Sequence, residues 1–139
     1  VINHRATVFT IETPGRALVE FTAEVAGWVR ESGIATGLVT LFCRHTSASL
    51  LINENAAPEV QPDILDWLDS VAPESPRYRH DCEGPDDMPA HLKATLTGVN
   101  LSIPVIGGRL SLGTWQGIYL AEHRARPHHR EVAAHLFGE

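Results

Sequence analysis

Residues 99–123 read Val99-Asn-Leu-Ser-Ile-Pro-Val-Ile-Gly-Gly-Arg-Leu-Ser-Leu-Gly-Thr-Trp-Gln-Gly-Ile-Tyr-Leu-Ala-Glu-His123. Val99, Leu101, Ile103 and Val105 alternate with other residues, the pattern of a half-buried strand. Gly107-Gly108 is a two-residue hairpin turn, so 109–123 is expected to return as the partner strand. That strand is unusual: Thr114-Trp115-Gln116 stands between Gly113 and Gly117. Glycine inside a strand weakens it and marks a bulge or a close approach by a ligand or another backbone. The segment therefore reads as a strand shaped around something.

Working outward, residues 6–12, 36–45, 49–54 and 131–137 read as further strands. Leu18, Phe21, Val25 and Trp28 recur at helical spacing and predict a helix over 17–31, ended by Ser32-Gly33. Pro58 and Pro62 suit the start of a second helix, with Val60, Ile64, Trp67, Leu68 and Val71 on one face. Residues 72–85 form a long loop, a length that more often carries function than idles. Asp87 is the expected N-cap of a short helix over 89–97, closed by Gly98. Strands and helices do not alternate as βαβ units. The expected fold class is α+β: a single compact domain over 1–139, largely antiparallel sheet or sandwich with a few helices.

The composition excludes several classes. With 43% apolar and 20% charged residues the chain is globular rather than disordered. A net charge of −6 argues against a broad nucleic-acid-binding face. No apolar run reaches the roughly 18 residues of a membrane span. No signal-peptide pattern opens the chain, so a cytoplasmic location is expected. Cys43 and Cys82 lie far apart without C-x-x-C spacing, which argues against a disulfide framework.

Three stretches carry candidate chemistry. In His45-Thr46-Ser47-Ala-Ser49 a histidine and hydroxyls sit between two strands, suiting either a ligand site or a turn whose hydroxyls bond their own backbone. In the run from His80 to His91, His80, Asp81, Cys82, Glu83, Asp87 and His91 are potential metal ligands. Asp87 and His91 are four apart and can share one helix face; the same residues also suit a solvated acidic loop. The tail His123-Arg124-Ala-Arg126-Pro-His-His-Arg130, with Arg44, can hold an anion or form a solvated charged loop. Neither serine lies in a G-x-S-x-G elbow.

The blocks His45-Thr-Ser-Ala-Ser-Leu, Asn53-Glu-Asn55, His80-Asp-x-Glu83-Gly, Ala90-His-Leu-Lys93 and Gly113-Thr-Trp-Gln-Gly-Ile118 occur in that order. Together they resemble the YjbQ family, also called UPF0047, from about residue 5 to the end. The resemblance implies a homotrimeric α+β domain with a histidine pocket for a divalent metal, zinc or magnesium. It assigns the metal to His45, His80, His91 and Asp87, and supporting carboxylates to Glu54, Asp81, Glu83 and Glu122 as well. Cys82 departs from the family pattern, in which Tyr or another residue can fill that place.

The family also goes by the name secondary thiamine-phosphate synthase, an enzyme joining hydroxymethylpyrimidine diphosphate to thiazole phosphate with release of pyrophosphate. That chemistry asks for phosphate anchors, a divalent cation and a shielded site. Under this reading His45, Ser47 and Glu83 are the candidate catalytic residues. Thr46, Arg44, Trp115, Gln116, Glu122, Arg124 and Arg126 are the candidate substrate contacts, Trp115 as an aromatic wall. The partners implied are other copies of the chain and a small phosphorylated metabolite, with neither nucleic acid nor membrane. A trimeric metal- or metabolite-binding protein without catalysis, a metal-dependent hydrolase, and an assembly protein with structural histidines are the competing readings.

Overall fold

The computed structural model describes residues 1–139. Two antiparallel sheets face each other across one core. The larger has five strands: β1 (Asn3–Thr13), β8 (His128–Gly138), β3 (Thr36–Cys43), β5 (Asn100–Ile106) and β6 (Arg109–Leu110), in that spatial order. The smaller has three: β2 (Ala17–Glu20), β7 (Gln116–Glu122) and β4 (Ala48–Glu54). Three helices complete the domain: α1 (Thr22–Ser32), α2 (Val60–Val71) and α3 (Asp87–Thr97). This is the α+β, largely antiparallel fold expected from the residue pattern.

Alternation builds the core. On β8 Val132, Ala134 and Leu136 point inward, while Glu131, His135 and Phe137 point out. They meet Val39 and Leu41 of β3, Ile103 and Val105 of β5, and Leu50, Ile118 and Leu120 of the small sheet. Phe21, Val25 and Val29 add one stripe of α1 to the same cluster. Gly33 ends that helix in the left-handed conformation, φ 71°, where a side chain is strained.

The segment 109–123 departs from expectation. The Gly107-Gly108 turn forms, with positive φ at both residues, but only Arg109 and Leu110 pair back onto β5. The chain then leaves for the other sheet, where 116–122 becomes the central strand between β2 and β4. From Gly117 to Glu122 every residue of β7 is buried. A strand covered on both faces reads as a continuous apolar run. The close approach foreseen at Gly117 exists, but its partner belongs to the chain. A Cβ there would lie 2.6 Å from Glu20 Oε2 and 3.0 Å from Asn55 Cβ.

Two smaller corrections follow from tertiary pairing. Residues 17–20 are strand rather than helix, because β7 offers them a ladder to complete. The α1 helix starts at Thr22, whose hydroxyl donates to Glu20 Oε2 and accepts the Ile118 N–H. Asp87 does not cap α3; the cap position is Asp86, and neither carboxylate bonds the first-turn amides. Both are committed elsewhere, as described below. No helix is long and apolar enough to cross a membrane.

Candidate metal centre

The 72–86 loop and the first turn of α3 bring His80, Asp87 and His91 together. One ligand atom from each lies within 4.8 Å of the other two. Asp87 is at the centre, its side chain 4% exposed. Its Oδ2 is 2.6 Å from His80 Nε2 and 3.3 Å from His91 Nε2. Its Oδ1 accepts a 2.8 Å bond from Arg124 Nη1. Burial pushes the Asp87 carboxyl up, but the His80 bond and the nearby His91 and Arg124 outweigh it and hold the group below its ordinary value.

The tautomer of His91 follows from its other nitrogen. Nδ1 lies 2.8 Å from the Thr46 carbonyl oxygen, which can only accept, so Nδ1 carries the proton. In the neutral ring the Nε2 lone pair then faces a carboxylate oxygen. Two acceptors in that relation need a proton or a cation between them. Their 3.3 Å separation suits two ligands of one tetrahedral zinc, whose bonds of about 2.0–2.1 Å place ligand atoms roughly 3.3 Å apart. Asp87 and His91 therefore have the spacing of two ligands of one divalent ion, the Thr46 carbonyl orienting the imidazole and Arg124 the carboxylate, whereas His80 Nε2, 2.6 Å from the same oxygen, donates a hydrogen bond to it and has to draw back to join them.

Arg124 organises the loop. It donates from Nε to Asp86 Oδ2 at 3.0 Å, from Nη1 to Asp87, and from Nη2 to the Glu83 carbonyl at 2.8 Å. The bond to Asp86 raises its pKa further. Gly84, at φ 101°, makes the turn that returns the chain to Asp86. Arg124 is thus committed to protein carboxylates and is not free to anchor a phosphate, contrary to expectation.

Beside His91 opens a cleft of about 830 Å³, lined also by Arg44, His45, Thr46 and the far half of α3. His45 belongs to the cleft and not to the metal trio. Its Nε2 accepts the Glu131 backbone N–H at 2.7 Å, leaving the proton on Nδ1 and no lone pair for an ion. Burial first, and the Arg130 charge second, lower its pKa and keep the ring neutral near pH 7. The expected metal role of His45 is corrected on this ground. A hydrogen-bond donor from Nδ1 is the role left to it. Arg44 is exposed and pairs loosely with Glu131 at 3.4 Å.

Ser47 and Glu122 belong to a different, structural assembly. Glu122, fully buried between the sheets, accepts from Arg130 Nε at 2.8 Å, Thr13 Oγ1 at 2.7 Å and the Arg124 N–H at 3.1 Å. Burial pushes its carboxyl up, and these donors more than reverse the effect. Ser47 Oγ accepts from Arg130 Nη2 at 3.0 Å, with no base beside it to take its proton. Ser47 as a catalytic group and Glu122 as a substrate contact are therefore corrected to a buried polar network. Thr13 and Arg130 are its unforeseen members; Thr13 reaches Glu122, and Arg130 reaches Ser47, across most of the chain, while Arg130 and Glu122 are eight residues apart.

Trp115 and Gln116 are displaced from the site. They lie at the opposite end of β7 from Glu122, roughly 20 Å away at strand rise. Trp115 is 62% exposed, and Gln116 Oε1 accepts the Gly113 N–H at 2.8 Å to close its own loop. Arg126 is exposed. Glu83 reaches His80 Nε2 at 3.2 Å, whereas Glu54 bonds the Ala57 N–H at 3.1 Å.

His123, which stands in sequence between an apolar strand and a charged tail, is 2% exposed. Thr97 donates to the Lys93 carbonyl, so Ser49 donates to Thr97 and accepts from His123 Nε2 at 2.8 Å. Nδ1 is then a buried acceptor without a partner. Burial, with Lys93 nearby, lowers the His123 pKa to about 4.

The sequence and fold match known proteins over nearly their whole length. The family model described as UPF0047 protein YjbQ-like matches residues 7–139. A UPF0047 protein of Synechocystis is 50% identical over 133 residues, covering 95% of this chain and 90% of its own. The YjbQ protein of Salmonella typhimurium is 49% identical over 106 residues, 76% of this chain and 77% of its own. A solved YjbQ/UPF0047-family structure from Clostridium acetobutylicum superposes with TM-score 0.85 at 40% identity, covering 92% of this chain and 97% of that one. One from Sulfolobus solfataricus, of unknown function, gives TM-score 0.87 at 28% identity over 99% of this chain and all of that one. With a whole-domain match in both sequence and fold, the chain belongs to the YjbQ (UPF0047) family.

Proposed function

We propose that the chain is a divalent-metal-dependent enzyme of small phosphorylated metabolites, with the joining of hydroxymethylpyrimidine diphosphate to thiazole phosphate as its candidate reaction. The observation that carries the reading is the convergence of His80, His91 and Asp87 beside the cleft, with the His91 lone pair turned toward Asp87. A bound cation would neutralise charge developing on a pyrophosphate leaving group. Asp87 and the two imidazoles would hold it. Thr46 and Arg124, through their bonds to His91 and Asp87, keep those donors oriented. His45 Nδ1–H and the weakly paired Arg44 offer donors to a phosphate seated in the cleft.

Self-association into a homotrimer is part of this proposal. What supports it is the bare outer face of the five-stranded sheet, where Val8, Phe42, Ile106 and Phe137 are exposed.

The test incubates purified protein, loaded with zinc or with magnesium, with the two precursors. Thiamine phosphate and pyrophosphate are then measured by chromatography. Turnover that is lost in His91→Ala supports the reading. Saturable precursor binding without turnover, under either metal, favours a binding protein instead. That second reading draws on Ser47, the candidate catalytic hydroxyl, being held by Arg130.

A further inference from the structure

A second cavity, of about 350 Å³, is lined by Arg16 from the turn before β2, Asp69 of α2, Lys93 of α3 and His123 at the end of β7. Its volume suits a small metabolite. Lys93 follows His91 by two residues, about 200° round the helix, so this cavity and the cleft lie on different sides of α3. Two of its polar walls are buried: Lys93 is 5% exposed and His123 2%. His123 has one nitrogen left to offer. Its Nε2–H is held by Ser49, which donates in turn to Thr97, so Nδ1 is an acceptor with no partner in the protein. A buried polar atom of this kind calls for a partner. Lys93 has donors to match: of its three N–H groups, Asp69 Oδ1 accepts one at 2.6 Å. Asp69 Oδ2 lies 3.2 Å from Arg16 Nη1. One carboxylate thus stands between two cations, which leaves a positive charge over. The other carboxylates of the lining do not answer it: Asp86 is bonded to Arg124 and the Ala125 N–H, and Glu74 is exposed.

From this arrangement we infer that the cavity is a second binding site, separate from the metal centre, for a small carboxylate that also carries a hydroxyl. The carboxylate accepts from Lys93 and Arg16 and balances the unmatched charge. The hydroxyl donates to His123 Nδ1. Asp86 and Glu74 disfavour a doubly charged phosphate, and a zwitterion brings no net charge. A water molecule would meet Nδ1 but leave the charge as it is. The site needs no metal.

The test is calorimetric titration of the full chain with glycolate, acetate and inorganic phosphate at neutral pH, with a chelator present so that a metal-bound ligand is not counted. Glycolate should bind once per chain. Acetate lacks the hydroxyl and should bind about fivefold more weakly, the worth of one neutral hydrogen bond. Arg16→Gln, a change at an exposed side chain, should weaken glycolate by about tenfold, as for a bond to a charged group, and Lys93→Gln by at least as much. In long-range proton–nitrogen spectra the His123 Nδ1 resonance, assigned by its loss in His123→Asn, should shift with glycolate and stay in place with acetate. Equal affinity for glycolate and acetate with an unmoved Nδ1 resonance would remove His123 from the site. Phosphate bound more tightly than glycolate would overturn the carboxylate assignment. Glycolate affinity unchanged in Arg16→Gln and Lys93→Gln, or no saturable binding at millimolar glycolate, would overturn the site itself and leave the cavity to water.

Discussion

The Nδ1 atom of His91 lies 2.8 Å from the carbonyl oxygen of Thr46, forty-five residues earlier in the chain. That single bond sets which imidazole nitrogen faces Asp87. It links the loop between β3 and β4 to the first helical turn after the acidic loop. His91→Ala removes a proposed ligand, so zinc affinity should fall by about a hundredfold, at the upper end of losses at orienting partners. Calorimetric titration of wild type and variant with zinc measures this. Equal affinities would remove His91 from the site.

Arg124 is less a binding residue than a clamp on the loop. Arg124→Ala removes the guanidinium donor shared by Asp86, Asp87 and the Glu83 carbonyl, leaving Asp86 the Ala125 N–H and Asp87 the His80 ring. A cost of about 1.5–3 kcal/mol is expected, the range for hydrogen bonds to charged groups. Arg124→Lys should recover only part of it, because an ammonium cannot reproduce the fork. Urea denaturation of the three proteins gives the comparison, and full recovery by lysine would contradict the clamp.

The Glu122–Arg130 pair is buried, and its worth lies in not being halved. Arg130→Ala leaves the Glu122 carboxylate unpaired between the sheets, a loss of about 3–5 kcal/mol. Replacing both partners by apolar residues, as in Glu122→Leu with Arg130→Met, should be much less harmful than the single change. A double-mutant cycle by chemical denaturation distinguishes these cases.

Stability should fall with acid in two stages. His123 has its folded pKa lowered to about 4, so the unfolded chain binds its proton first. The penalty begins as pH drops below the ordinary histidine value of 6.5 and is complete below about 4, amounting to about 3 kcal/mol. His123→Asn should flatten that part of the profile. Asp87 and Glu122 also have lowered folded values, so they contribute stability above the ordinary carboxylate range. That contribution is lost as pH falls further, through their folded values. Melting temperatures across a pH series report both stages. A His123→Asn profile parallel to wild type between pH 6.5 and 4 would refute the first.

Local features of the chain were legible in sequence because their causes are local. The alternation of Ile103 and Val105 marks an amphipathic strand, Gly107-Gly108 supplies the positive φ of a tight turn, and Gly98 closes α3. Asp87 and His91 share a helix face because four residues make about one turn. Even His80 was visible as a donor close by in sequence. The α+β class followed from the same patterns, and family membership from the motif blocks.

What the tertiary structure decided is which distant groups meet. Nothing near residues 116–122 says that they leave β5 for a second sheet. That exchange carries Trp115 away from the histidines and covers both faces of β7. The His45 lone pair is spent on Glu131 because β3 runs beside β8, and Arg130 claims Ser47 and Glu122 because the two sheets close over them. The bonds of His45 to Glu131 and of Arg130 to Ser47 are long-range, fixed by strand register and by the cost of leaving a buried polar group unpaired. Residue type alone proposes candidates for a site. Packing removes those whose atoms the core has already taken.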